Sequence, residues 1–276
     1  MRTTRACVLA AVLAAPVLTA CHHAPTSGAS SAAEPQVLLL GEVHDNGEGH
    51  RRRVDALRAR IESGWRPVIA MEQFDREQQP VLDAALRECR DAACVVARAA
   101  PGKSSWTWAF YEPVITLALD HGLPILAANL SRADAGKVVR GGIAMALDAD
   151  LRARYGIAAE LPKAVLAAQA DTVRSAHCGA LPEEMVEPMA RAQIARDVVM
   201  AEAMRPHASG GVVLIAGNGH VRRDIGVPYW LRAQGLATWS IGYVEAAGAP
   251  GEYDREQRIP AVDRPDPCAK FKPPAR

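Results

Sequence analysis

Two apolar runs in the sequence each lead into the pattern Gly-x-x-His, one near the start of the chain and one near its end. Residues 37–40 precede the pattern that ends at His44, and residues 212–216 precede the pattern that ends at His220. A short apolar run that stops at glycine is typical of a strand buried on both faces of a parallel sheet. Because open α/β sheets bind ligands beyond the carboxyl ends of their strands, both histidines are predicted to lie in one pocket.

The N-terminal residues have the composition of an export signal followed by a tether. Residues 1–20 join a basic start to an apolar segment that is too short to span a bilayer, which predicts a signal peptide. They lead into Leu-Thr-Ala-Cys, a bacterial lipobox pattern that predicts lipid, including palmitate, on Cys21. An ordinary secretory signal is the alternative. His22 in place of Asp favours the outer membrane, facing the periplasm, and residues 21–35 are predicted to be a flexible tether.

Four cysteines follow the lipobox: Cys89, Cys94, Cys178 and Cys268. An even number in an oxidising compartment predicts two disulfides. Pairing of Cys89 with Cys94 would close a short loop, and pairing of Cys178 with Cys268 would pin the C-terminal tail, although three pairings are formally open. The spacing of the first two cysteines matches neither a zinc motif nor a thioredoxin motif.

Apolar runs that alternate with helical periodicity predict an α/β fold, with a mostly parallel sheet and helices on both of its faces. The predicted strands are residues 36–41, 67–71, 124–128, 212–216 and 238–243. Strand signals vanish over residues 132–207, which predicts an inserted helical lobe. The domain is predicted to span residues 36–245, with residues 246–276 as an extended tail. A net charge of +1 and scattered basic residues argue against a nucleic-acid partner.

Acidic and imidazole side chains follow several predicted strands. Glu42, His44, Glu72 and His220 supply two carboxylates and two imidazoles, with Asn129 at the end of a further strand. Such a set suits a divalent metal such as zinc or manganese, or an acid–base pair that activates water, which makes the four the candidate catalytic residues of an enzyme. The alternative is that each group caps a helix or a turn. Burying four such groups in one crevice is costly without partners, which favours a ligand site.

A series of motifs occurs in an order that resembles one known family. The motifs lie at residues 41–46, 71–74, 108–113, 177–197 and 217–228. This ordered set resembles the ChaN-like haem-binding lipoproteins of the haem-binding uptake and Tiki superfamily, which also includes TraB and erythromycin-esterase-like proteins. The resemblance spans roughly residues 36–245. It implies an α/β body with a helical lobe, a membrane-anchored protein of iron acquisition, and haem that could lie between the protomers of a homodimer.

Several side chains are of types that ligate haem iron or meet its acidic substituents. Phenolate, imidazole and thioether ligands are all used by haem proteins. The candidates for contact with haem are His44, His220, Tyr111, His177, Met189, Arg196 and Tyr229. Arg196 could form an ion pair with its neighbour Asp197, facing the crevice, and Arg222 and Arg223 could meet an acidic ligand such as a propionate. Many relatives of the resembled family carry a histidine where this chain has Tyr229-Trp230. If that position contacts the ligand, this chain either lacks the group or replaces the imidazole by a phenol.

Three functions are therefore compared. The leading hypothesis is a membrane-anchored lipoprotein that binds haem and takes part in iron or haem acquisition. The alternative is a metal-dependent hydrolase of the Tiki or esterase type that uses the crevice of Glu42, His44, Glu72 and His220, so that an enzymatic role stays open. The third is a structural envelope lipoprotein whose polar sheet edge is vestigial.

Overall fold

The fold is organised around a six-stranded sheet in the computed structural model, which describes residues 36–102, 105–266 and 268–269. The strands are β1 (Val37–Leu40), β2 (Val68–Asp75), β3 (Ile125–Asn129), β4 (Val212–Ile215), β5 (Thr238–Val244) and β6 (Arg255–Arg258). Their order is β3-β2-β4-β1-β5-β6, and all neighbouring pairs are parallel. The predicted signal peptide (1–20), the predicted lipidation site Cys21 and the predicted tether (21–35) lie outside the described residues.

Helices cover both faces of the sheet, which confirms the predicted α/β class. The helices are α1 (Gly47–Glu62), α2 (Gln79–Glu88), α3 (Ala92–Ala99), α4 (Glu112–His121), α5 (Arg132–Gly141), α6 (Ala149–Arg154), α7 (Lys163–Ala176), α8 (Glu183–Met204) and α9 (Val227–Ala233). Side chains alternate across a strand, so Leu38 and Leu40 pack with α1–α4 while Val37 and Leu39 face the opposite core. That second core contains residues of α5–α9.

Strands β1 and β4, which carry the two Gly-x-x-His patterns, lie side by side in the middle of the sheet. Leu40 pairs with Ile215 at their carboxyl ends, so the two patterns leave the sheet at the same level. Helices α5–α8 lie between β3 and β4 in sequence. No helix in the described part of the chain is both long enough and apolar enough to cross a membrane.

The C-terminal segment contributes a strand that the sequence analysis did not predict. Residues 255–258 pair with β5 at the edge of the sheet, within the stretch that was expected to be an extended tail. Their sequence, Arg-Glu-Gln-Arg, has no apolar residue, and an edge strand exposed in this way needs none. Disulfides join Cys89 to Cys94 and Cys178 to Cys268, so the two expected disulfides form, with a connectivity that the sequence analysis left open.

Candidate functional site

The structure brings the two Gly-x-x-His patterns into contact through their glycines. A Cβ atom on Gly41 would overlap the Asn218 side chain, and one on Gly217 would lie 2.9 Å from His44 Cε1. The Gly217 N–H also donates to Glu72 Oε2 at 2.8 Å. Glycine is therefore needed in both patterns because the loops after β1 and β4 approach too closely for a side chain. His44 and His220 consequently share the wall of one cavity.

Glu42 is a buried carboxylate that orients His44. Its Oε1 atom accepts hydrogen bonds from Tyr111 Oη at 2.6 Å and from His44 Nδ1 at 2.8 Å, and Arg53 Nη1 donates to Oε2. Burial alone would raise the pKa of Glu42, but the charge of Arg53, with the hydrogen bonds, outweighs burial and lowers this pKa to about 2. The bond to Glu42 in turn raises the pKa of His44.

Helix α1 supplies the cation that neutralises Glu42. The helix begins after Asn46, whose side chain accepts from the Gly49 N–H at 2.9 Å and so caps the first turn. Arg53 Nη2 donates to His50 Nδ1 at 2.8 Å, and His50 Nε2 donates to the His44 carbonyl at 3.1 Å. Burial lowers the pKa of His50, which keeps it neutral. This network holds the loop of His44 in place.

The sequence analysis did not identify Arg53, although the helical spacing contained a signal. His50, Arg53, Leu57 and Ile61 recur at intervals of three or four residues and are all buried on one face of α1. A charged residue within an otherwise buried stripe requires a partner of opposite charge, so its position could have predicted the pair with a strand-end carboxylate.

His220 lies between two carboxylates. Its Nδ1 donates to Asp197 Oδ1 at 2.6 Å, and its Nε2 lies 3.5 Å from Glu72 Oε1. Burial would lower the pKa of His220, but Glu72 and Asp197 outweigh burial and raise it to about 10. Burial raises the pKa of Asp197 to about 6, and Gln169 Nε2 donates to this carboxylate at 3.1 Å. At neutral pH, His220 is an imidazolium held between two negative charges.

Arg196 and Asp197, which were considered as a candidate ion pair, have other partners. Neighbouring residues on a helix point in different directions, and Asp197 faces His220 while Arg196 Nη1 donates to Asn129 Oδ1 at 2.6 Å and to the Leu130 carbonyl at 2.8 Å. Asp197 and Gln169, which come from the helical lobe, are therefore site residues that the strand-end patterns could not identify.

Two adjoining cavities flank the histidines. The first, of about 450 Å³, lies against the lobe and has Val173, Ala176 and His177 in its wall. The second, of about 440 Å³, has Arg132 and Arg196 in its wall. Both cavities are lined by His44, Gln193 and His220. The first therefore offers apolar and imidazole groups, whereas the second offers guanidinium groups.

The candidate haem ligands occupy different environments. His177 faces the first cavity, and its Nδ1 donates to the Val173 carbonyl at 2.8 Å, which leaves Nε2 with a free lone pair. Tyr111 is buried beside Glu42, and burial raises the pKa of its phenol. Met189 packs in a small apolar cluster of the lobe, and Tyr229 packs edge-on against Trp230.

Arg222 and Arg223, which the sequence analysis offered to a propionate, are already paired with carboxylates of the protein. Arg222 contacts Asp224 at 2.6 Å and Glu252 at 3.2 Å, and Arg223 contacts Asp254 at 3.0 Å. Their positive charges are therefore neutralised within the fold, and the expected contact with an acidic ligand lacks support.

The structure also gives no support to the metal alternative. Glu42, His44, Glu72 and His220 converge, but in the described residues no group of three or more His, Cys, Asp or Glu side chains is arranged to hold a metal ion. Glu42 is occupied by Arg53 and Tyr111, and the Nδ1 atom of His220 is occupied by Asp197. The metal-dependent hydrolase hypothesis thus loses the ligand set on which it rested.

Comparisons with known proteins agree with the motif pattern. The family described as haem-binding uptake, Tiki superfamily, ChaN matches residues 29–231. The solved structure of cofacial haem binding to ChaN of Campylobacter jejuni is 22% identical, with 80% of this chain and 86% of that chain covered at a TM-score of 0.65. An erythromycin esterase mutant in its open conformation is 14% identical, with 79% and 75% covered at a TM-score of 0.45.

No curated protein matches the chain. The likeness to the C. jejuni structure extends over most of both chains and establishes a shared fold. The family match covers the β1–α9 region, including both Gly-x-x-His patterns and the helical lobe between them, as the ordered motifs predicted. The chain therefore belongs to the ChaN family of the haem-binding uptake and Tiki superfamily.

Proposed function

We propose that this protein binds haem in the two adjoining cavities at the carboxyl ends of the strands, as a step in haem or iron acquisition. The observation that carries the proposal is the position of His177. Its imidazole lies in the wall of the first cavity, and the bond from Nδ1–H to the Val173 carbonyl fixes the tautomer in which Nε2 has a lone pair. Imidazole ligands of metals are commonly oriented by such a hydrogen bond.

The other groups of the cavity fit a haem ligand as well. Val43, Val173 and Ala176 give the wall apolar surface, which a macrocycle needs, and polar side chains that include His44, His177 and His220 line the rest of it. Both ring nitrogens of His220 face carboxylates of the protein, Nδ1 at 2.6 Å from Asp197 and Nε2 at 3.5 Å from Glu72. His177 would therefore hold the iron, and the charged side chains around His220 would set the polar floor of the site.

The cellular role in this proposal rests on the family and on the N-terminal sequence. The description of the family names haem-binding uptake. The lipobox that ends at Cys21 favours a lipid anchor in the outer membrane, on the periplasmic side. Cofacial haem binding, which is described for ChaN of C. jejuni, places haem groups face to face. A second copy of the chain would supply the second face, so the haem-loaded form is proposed to be a homodimer.

Titration of the mature chain with hemin should give a saturable shift of the Soret band. Replacement of His177 with alanine is expected to weaken hemin binding by at least about tenfold, since even the loss of a group that only orients a metal ligand costs this much. The position of the Soret maximum should change as well, because the iron loses an imidazole. Absorbance titrations of the wild-type and variant proteins measure both effects.

A matched control is His121→Ala, which removes an imidazole from the end of α4, outside the walls of both cavities. Its titration should overlay that of the wild type. Wild-type protein without a saturable Soret change would reject haem binding altogether. Unchanged affinity and spectrum in His177→Ala would instead remove His177 as the ligand.

A further inference from the structure

We infer that the disulfide between Cys178 and Cys268 is a thiol-sensitive latch, which holds His177 in the wall of the first cavity and frees it when a dithiol reduces the bridge. The inference rests on the proposed function and adds to it the control of ligand release. Cys178 directly follows His177, and the bridge joins this turn to the C-terminal segment. Residues 259–266 together with Cys268 are called the strap.

The strap is anchored at its other end to the loop that follows β1. Arg264 binds the Asp45 carboxylate through two hydrogen bonds of 2.8 and 2.9 Å. The Asn46 side chain donates to the Pro260 carbonyl at 2.8 Å. Asp45 and Asn46 directly follow His44, which lines the same cavity as the histidine beside the bridge. The strap therefore connects two segments that both contribute to the wall of the first cavity.

The strap is too short to let these two segments move far apart. Arg264 and Cys268 are four residues apart, so the chain between their Cα atoms spans about 14 Å at most. The Cα atoms of the two bridged cysteines lie 5.5 Å from each other. While the bridge is closed, the turn after α7 cannot swing away from the loop of His44.

The tip of the helical lobe (residues 170–190) has a small core of its own, apart from the two main cores. Four buried side chains form it: Ala170, Val173, Val186 and Ala190. Helix α8 contains Pro188 in this region, which has no N–H to bond the Glu184 carbonyl and so weakens the helix. A small cluster of this kind opens at a lower free energy than a main core. The bridge is therefore an important restraint on the position of His177.

The bridge lies where a thiol can reach it, and its backbone is constrained. Both cysteines are partly exposed. Cys178 has a φ of +58°, in the left-handed region that residues with a side chain rarely adopt. Release of Cys178 from its partner would let this turn return to an ordinary conformation, which favours opening once the bridge is reduced.

Reduction by a dithiol separates the strap from the lobe in two exchange steps. One thiolate of the reductant attacks a sulfur of the bridge, which gives a mixed disulfide and frees one cysteine. The second thiol of the reductant then attacks the mixed disulfide and frees the other cysteine. The protein gains two electrons and two protons, and the reductant ends as a disulfide. The turn that contains His177 is then free to move away from the iron.

The test measures the rate at which the hemin-loaded mature chain transfers hemin to an excess of apomyoglobin, followed by absorbance. Cys178→Ser/Cys268→Ser should release hemin at least about tenfold faster than the wild type, because ordering His177 then opposes binding. Its Soret maximum should stay at the wild-type position, since the ligand itself is unchanged. The matched control is Cys89→Ser/Cys94→Ser, which should release hemin at the wild-type rate. Treatment of this control with a phosphine reductant should reproduce the fast release.

Arg264→Gln keeps the test valid if the variant without the long-range bridge fails to fold. It loosens the strap at Asp45 and leaves the bridge closed, so it should also speed the release of hemin. In Cys178→Ser/Cys268→Ser the same substitution should have no further effect, because both changes act through one strap. Additive effects would mean that the two contacts act separately and would overturn the inference.

Amide hydrogen exchange of the hemin-free proteins gives a second readout that does not depend on the ligand. Exchange over residues 170–190 should rise when the long-range bridge is removed or reduced, and should stay at the wild-type level in Cys89→Ser/Cys94→Ser. Unchanged exchange, or an unchanged rate of hemin release, would overturn the inference and leave haem binding intact. Faster exchange in a protein that does not bind hemin would instead reject the proposed function and support the latch.

Discussion

Replacement of Arg53 with methionine is expected to lower the free energy of unfolding by about 3–5 kcal/mol. The side chains of Arg53 and Glu42 are both fully buried and form an ion pair. Methionine preserves the apolar stem of the arginine but leaves the Glu42 carboxylate buried without its counter-charge. Removal of one partner from a buried pair is much more costly than loss of a pair at the surface.

The pH dependence of this loss identifies its cause. Glu42 has a pKa of about 2 in the folded protein, against an ordinary value of 4.5. Its contribution to stability is therefore fully present above pH 4.5 and is lost as the pH falls toward 2. Without Arg53, the pKa of Glu42 loses the largest influence that lowers it, so the carboxyl group is protonated at a higher pH than in the wild type. The difference in unfolding free energy between wild type and Arg53→Met should therefore narrow as the pH falls from about 7 to about 3.

Urea denaturation over this pH range measures the effect, with Arg58→Met as the control. Arg58 lies on the same helix with a partly exposed side chain, 3.6 Å from Asp55, and its replacement should change stability by no more than about 0.5 kcal/mol. If the difference in unfolding free energy between Arg53→Met and wild type stayed constant with pH, Glu42 would not depend on Arg53 for its charge.

Removal of the disulfide between Cys178 and Cys268 is expected to be the second large effect. The bridge joins cysteines 90 residues apart, and the chain-entropy relation gives about 4.5 kcal/mol for a loop of this length. Replacement of both cysteines with serine should lower the free energy of unfolding by about 4.5 kcal/mol. The same replacement at Cys89 and Cys94, which are 5 residues apart, should cost only about 2 kcal/mol.

Denaturation of the two double variants under non-reducing conditions provides the comparison. The long-range variant should unfold at a clearly lower denaturant concentration than the short-range variant. Equal midpoints would mean that the C-terminal segment is held to the body by its other contacts, such as the bonds of Arg264 to Asp45 at 2.8 Å and to Glu245 at 2.7 Å.

The strands that carry the site could be predicted because their sequences are decisive. Residues 37–40 and 212–215 are apolar on both faces and stop at glycine, which only a buried parallel strand explains well. The edge strand at residues 255–258 gave no such signal, since its side chains face solvent and its pairing with β5 relies on backbone hydrogen bonds.

The partners of the site residues were harder to predict because they come from helices that pack onto the sheet. Glu42 and His220 follow from the strand ends, but Arg53 and Asp197 reach them from α1 and α8. Which helical residue meets which strand end depends on tertiary packing, which a single sequence does not encode locally. The same limit applies to Tyr111, whose burial beside Glu42 distinguishes a neutral phenol from a phenolate ligand.

In the proposed complex, haem lies between the sheet edge and the helical lobe, with its iron on His177. Crystals of the hemin-loaded protein, measured at the iron absorption edge, locate the iron directly by anomalous scattering. We expect a single strong peak per chain at coordination distance from His177 Nε2, next to the cavity shared with His44 and His220. An iron peak on the outer surface, away from these three histidines, would contradict the account.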